Sequence, residues 1–166
     1  MIVLVKAIVY NSETGFTKEY AEMLSKKINV PCCTLKEAKK ELNKQDEIVY
    51  LAWICAGVIK GINKVRNKYK VKCYGAVGAF PKDDNYIETL TKSNGLENDK
   101  LFYLRGGINF GKLKGYKKFI VKIVGNVLEK NNKGKEGSEE LIRLFNEGAS
   151  FVDSKNLDEM IDYIEK

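Results

Sequence analysis

The stretch Tyr10-Asn11-Ser12-Glu13-Thr14-Gly15-Phe16-Thr17 lies between two segments of different period. Before it, Ile2 to Tyr10 is almost continuously apolar and rich in Val and Ile, the pattern of a strand buried on both faces of a parallel sheet. After it, Tyr20, Ala21, Leu24 and Ile28 recur at helical spacing among Lys18, Glu19, Glu22, Lys26 and Lys27, which predicts an amphipathic helix from Phe16 to Ile28. Three hydroxyls and a glycine therefore stand where a strand becomes a helix. The unpaired N–H groups and the positive dipole end found there attract an anion, and Ser12, Thr14 and Thr17 can add hydroxyl hydrogen bonds. A plain helix cap is the competing reading, but one cap needs one oxygen and this stretch offers three. Gly15 is followed by Phe16 rather than Lys, which excludes the P-loop pattern, and the missing second and third glycines exclude a dinucleotide fingerprint.

Further strands are expected at Val30–Leu35, Ile48–Ile54, Val71–Ala79 and Leu101–Leu104. Pro31 suits an edge strand, and the glycines of the fourth run let a neighbour come close. Helices are expected over Lys36–Asp46, from Ile62 to Tyr69, around Tyr86–Lys92, and over Glu139–Asn146 and Leu157–Ile164; Phe151-Val152-Asp153 reads as a strand fragment or turn. Loops follow at Cys55–Gly61, Phe80–Tyr86 and the glycine-rich Arg105–Lys112. Trp53, ending an apolar strand, reads as a core aromatic. On Tyr116–Glu129 the stripe Phe119, Ile120, Ile123, Val124, Val127 and Leu128 reads as core, a basic membrane-surface helix being the competing reading. The alternation predicts one α/β domain over residues 1–166, with a doubly wound sheet of order 2-1-3-4-5.

The chain has 166 residues, 44% hydrophobic and 31% charged, as expected of an ordinary globular domain. No apolar run reaches the ~18 residues of a membrane span. Lys6 interrupts the N-terminal run, so a cytoplasmic protein is expected, at most peripheral at a membrane. The four cysteines lack metal-ligand or CxxC spacing and read as reduced; no metal site is expected. The absence of histidine removes Ser-His, Cys-His and histidine general-base chemistry, so any catalysis would rest on a cofactor. A net charge of +7 suits an acidic partner or an anionic membrane surface. Without a recognition motif or arginine cluster, nucleic acid is not expected.

Ser12-Glu13-Thr14-Gly15-Phe16-Thr17 resembles the flavodoxin phosphate loop, Thr/Ser-x-Thr-Gly-x-Thr, at every specified position, and the strand-helix order extends the resemblance over essentially the whole chain. It implies a flavodoxin-like three-layer sandwich: a five-stranded parallel sheet with helices on both faces and a late insertion. A looser similarity, in the glycine-rich start and basic helix between Gly107 and Lys122, is to the flavodoxin-like protoporphyrinogen oxidases.

By that resemblance Ser12, Thr14, Gly15 and Thr17, with the amides of Glu13 and Phe16, would hold the phosphate of FMN without a cationic side chain. Ile54–Lys60, with Cys55, Ala56, Gly57 and Val58, would flank one ring face, and Gly78–Tyr86 the other, where Phe80 and Tyr86 could stack. Gly57 would allow the backbone change that accompanies flavin reduction in flavodoxins. No catalytic side chain is implied. The implied function is electron transfer through FMN to a redox partner protein. The alternatives are an oxidase or quinone reductase acting on a small quinone-like or porphyrin-like substrate, and a binding domain without flavin. The insertion Gly106–Gly137 discriminates between the first two: bordering the flavin it favours an enzyme, and on the far sheet edge a carrier.

Overall fold

Ile8 and Val9, neighbours in sequence, enter two different hydrophobic clusters, and this alternation organises the molecule. The computed structural model describes residues 4–166; the first two residues of the expected first strand, Ile2 and Val3, lie outside the described residues. Strand β1 is Ala7–Asn11, and Leu4, which the pattern placed in it, is exposed. Helix α1, Phe16–Ile28, has its expected bounds and leads to β2, Cys32–Thr34, with Pro31 just outside the ladder. Helix α2 is Leu35–Glu41, shorter than expected because Leu42 already has extended backbone. Next come β3, Glu47–Cys55, and β4, Val58–Ile59. Helix α3 is Ile62–Arg66, β5 is Lys70–Gly78, α4 is Asp84–Ser93 and β6 is Leu101–Arg105.

The five long strands pair in parallel in the order β2-β1-β3-β5-β6, which is the expected 2-1-3-4-5. One sheet face carries Ile8, Val49, Leu51, Val77 and Leu104 beneath Tyr20 and Leu24 of α1 and Met160 of the last helix. The other carries Val9, Ile48, Tyr50, Ala52 and Ala76 beneath Ala38 of α2, Ile62 and Val65 of α3, and Leu90 of α4. Strands sandwiched in this way are apolar at consecutive positions, which is why their runs lack polar alternation.

The insertion is more ordered than its glycines implied, and it runs past the expected end at Gly137 to Ser150, where its last strand pairs back onto its first. Gly107–Ile108 forms β7, α5 spans Tyr116–Asn132, α6 spans Ser138–Glu147, and Ala149–Ser150 forms β8, antiparallel to β7. The expected strand fragment thus falls two residues earlier. At Gly107 (φ 152°) a Cβ would run into the Ala149 backbone, so this ladder requires glycine. The chain closes with α7, Asp158–Ile164. The stripe on α5 is corrected: Val124 and Leu128 pack with Leu144 and Phe145 of α6, while Phe119, Ile120, Ile123 and Val127 face outward. Both sheet faces are already covered, so α5 has only α6 and its surroundings to bury against. Among the described residues, no helix is long and apolar enough to cross a membrane.

Two carboxylates fasten the ends of strands, Glu37 after β2 and Asp46 before β3. Glu37 closes a capping box, accepting from the Thr34 N–H at 2.7 Å, and Asp46 accepts from the Asn43 N–H at 2.8 Å while pairing with Lys6. These hydrogen bonds hold both carboxyls below their usual range. A depressed folded-state pKa gives stability that is present above the unfolded value, about 4 for Asp and Glu, and lost as pH falls through the folded value. The urea midpoint should therefore drop as pH falls below about 4, and less so for Glu37→Gln combined with Asp46→Asn. Identical acid limbs would contradict this assignment.

Candidate functional site

The chain leaves β1 toward β2 on one side and returns to β3 on the other, so the C-terminal ends of β1 and β3 flank a topological switch point. A cleft of about 810 Å³ opens there, within the range of small-molecule sites. Its floor is the start of α1. Gly15, at φ 103°, is the residue before the helix; it donates its N–H to Ser12 Oγ at 3.2 Å. The first turn's backbone bond runs from Glu19 to Gly15, and no side chain caps the helix, so the N–H groups of Phe16, Thr17 and Lys18 have no helical acceptor. Thr14 and Thr17 line the cleft beside them, and Thr17 is buried. The capping reading is thereby set aside: Ser12 closes the turn, and the helix end stays open to an anion.

The insertion brings a cation beside this loop, which the resemblance implied would work without one: a Cβ on Gly15 would lie 3.0 Å from Lys112 Nζ. Lys117, in the first turn of α5, pairs with Glu13, which raises the lysine pKa.

The first wall comes from β3 and its hairpin. Ala56 (φ 49°) and Gly57 (φ 76°) both have positive φ, as a type I′ turn between β3 and β4 demands. Cys55, Ala56 and Gly57 line the cleft; Val58 pairs with Cys55 and points to solvent. Asn94 clamps this turn to the end of α4: its Nδ2 donates to Gly57 O at 2.9 Å and its Oδ1 accepts from Ile59 N–H at 3.0 Å. Ser93 also donates to Gly57 O, so turning that carbonyl would break two hydrogen bonds. Behind the turn, burial pushes the Tyr50 phenol up to about 12, leaving it a permanent donor to Lys60 O at 2.6 Å.

Trp53 is the second correction. It is not a core aromatic: it lines the cleft, with Lys60 Nζ at 5.4 Å and Lys117 Nζ at 5.0 Å from its ring centre. Its Nε1 is the single buried side-chain polar atom without a partner among the described residues. Leaving a buried donor unsatisfied costs about 1–3 kcal/mol.

The opposite wall is Gly78, Phe80 and Tyr86, the two rings 6.0 Å apart in an edge-on arrangement. Phe80 also stacks against Phe145 of the insertion, which contributes Ile108, Asn109, Leu113, Tyr116, Lys117, Ile120 and Val121 as the roof. Of the residues expected at the site, Glu13, Thr14, Phe16, Thr17, Cys55, Ala56, Gly57, Phe80 and Tyr86 come together in the lining; Ser12, Gly15 and Val58 stand just outside it. The roof and Trp53 were missed residue by residue, although the Lys-rich run after Gly107 marked the segment.

A parallel sheet of order 2-1-3-4-5 with a cleft over its switch point places the chain in the doubly wound α/β class, whose ligands bind at that crevice. The sequence matches the flavodoxin domain over residues 7–135, and the chain belongs to that family, whose members generally bind flavin. No curated protein matches the chain at a significant level.

Proposed function

We propose that this protein binds FMN in the cleft and acts as an FMN-dependent oxidoreductase on a small, flat substrate. The fit to FMN is supported by three features: the open start of α1 beside three hydroxyls, Lys112 against Gly15, and the unsatisfied indole N–H in the wall. The phosphate would be held by Thr14, Thr17, the amides of Phe16 and Thr17, and Lys112. The ring would lie between the Cys55–Gly57 turn and the Phe80–Tyr86 wall. When bound, the flavin supplies one- and two-electron chemistry, which the protein orients and tunes.

The observation that carries the enzymatic reading is the roof. The insertion borders the same cleft as the phosphate loop, where a bare carrier would need only an exposed flavin edge. Leu113 and Val121, both half-buried, give that side of the cleft an apolar surface. Lys60, Lys64 and Lys117 face the cleft against Glu13 alone, which suits a substrate bearing carboxylates, as a porphyrin-like molecule does, while an uncharged quinone would rest on the apolar part of the lining. Those same lysines support the second reading, an electron carrier docking an acidic protein.

Steady-state reduction of a water-soluble quinone by the FMN-loaded protein, with NADH as the two-electron donor that re-reduces the flavin each turnover, tests this. Val121→Trp should lower kcat/KM about tenfold or more by filling the roof, with flavin retained. Unchanged turnover, or none in either protein, would favour the carrier.

A further inference from the structure

Helix α5 is apolar on two faces, and only one has a partner. Val121, Val124 and Leu128 pack against α6 around the buried Gly125. On the other side Tyr116, Phe119, Ile120, Ile123 and Val127 are 70%, 65%, 50%, 44% and 50% exposed. They recur at intervals of three and four, so they form one straight strip along three turns of the helix. Exposed apolar strips of this kind mark contact surfaces.

The flanks of the strip are strongly basic. Between residues 112 and 132 the chain carries Lys112, Lys114, Lys117, Lys118, Lys122 and Lys130 against Glu129 alone. The first turn of α5 has no acidic residue. Tyr116 and Ile120 belong both to the strip and to the lining of the cleft, so the strip runs into the cleft mouth.

We propose that this face of α5 docks on an anionic lipid bilayer, with the helix lying in the interfacial plane and the cleft opening toward the headgroups. A strip one helix wide, with aromatic rings at its N-terminal end and lysines along its sides, has the form of an interfacial helix: the apolar face enters the headgroup–acyl boundary and the ammonium groups meet lipid phosphates. Docking does not depend on flavin. Together with the proposed function it adds a route by which an amphiphilic substrate would pass from the membrane into the cleft.

Co-sedimentation with vesicles tests the proposal, using phosphatidylcholine alone and phosphatidylcholine mixed with phosphatidylglycerol. The protein should pellet with the mixed vesicles and stay in the supernatant with the neutral ones, and added salt should release it. Phe119→Asp combined with Ile123→Asp should abolish pelleting; neither residue lines the cleft, so flavin retention and circular dichroism should not change. As a milder probe, Phe119→Trp should blue-shift its emission on mixed vesicles. The proposal is overturned if the protein ignores both vesicle types, if the double variant still pellets, or if the strip instead mediates a dimer that the double variant disperses. A protein that binds mixed vesicles but never FMN would uphold the docking and remove the flavin reading.

Discussion

Thr14→Trp is expected to strip the protein of FMN while leaving the fold intact. Thr14 is half-buried on the loop between β1 and α1 and belongs to none of the hydrophobic clusters, so the indole need not disturb the sheet. It would instead occupy the space before the uncapped N–H groups and remove a hydroxyl that the proposed site assigns to the phosphate. Hydrogen bonds to a charged group are worth about 1.5–3 kcal/mol each. Losing one and blocking others should weaken binding by about a hundredfold or more. Thr14→Ser, which keeps the hydroxyl, should retain the cofactor. Purified T14W with the same flavin absorption as the parent would refute the assignment.

The largest effect on stability is expected at Gly75, in the middle of β5. A Cβ there would overlap Leu51 Cδ2, sit 3.0 Å from Leu104 Cδ1 and lie 3.5 Å from Met160 Cε. All three side chains are fully buried, so none can swing into solvent. Overpacking of this kind costs about 1–3 kcal/mol, and a chain of this size loses about 2–4 °C in Tm per kcal/mol. Gly75→Ala should cost measurably less in a Leu51→Val background, where a methylene has been removed from the point of overlap. Additive effects in a thermal melt of the four proteins would show that Leu51 is not what excludes a side chain there.

Most of this architecture was legible in the sequence because it rests on local rules. The change of period from Val9 to Tyr20 gave the strand, loop and helix, and Pro31 placed β2 at the edge, where the ladder ends. The misreadings came from residues whose fate is decided at a distance. The period of α5 shows that an apolar stripe exists, but only the crowding of both sheet faces determines that Phe119 and Ile123 remain uncovered. Trp53 continues an apolar strand and became a wall residue because β1 ends opposite Ala52, which leaves Trp53 without a neighbouring strand on that side. Likewise Lys112 lies far from Gly15 in sequence and meets it only because β7 pairs with β8 and folds the insertion back over the cleft. The β7–β8 ladder is two residues long on each side, too short to show a period.

The phosphate carries the proposed binding mode, so the decisive measurement compares FMN with riboflavin, which has the same ring and ribityl chain without the phosphate. Titrated into flavin-free protein and followed by quenching of flavin fluorescence, FMN should bind at least about a hundredfold more tightly, as expected for several charge-assisted hydrogen bonds. Lys112→Ala should narrow that ratio by weakening FMN alone. Equal affinities for the two flavins, or no binding of either, would contradict the site built on Thr14, Thr17 and the open start of α1.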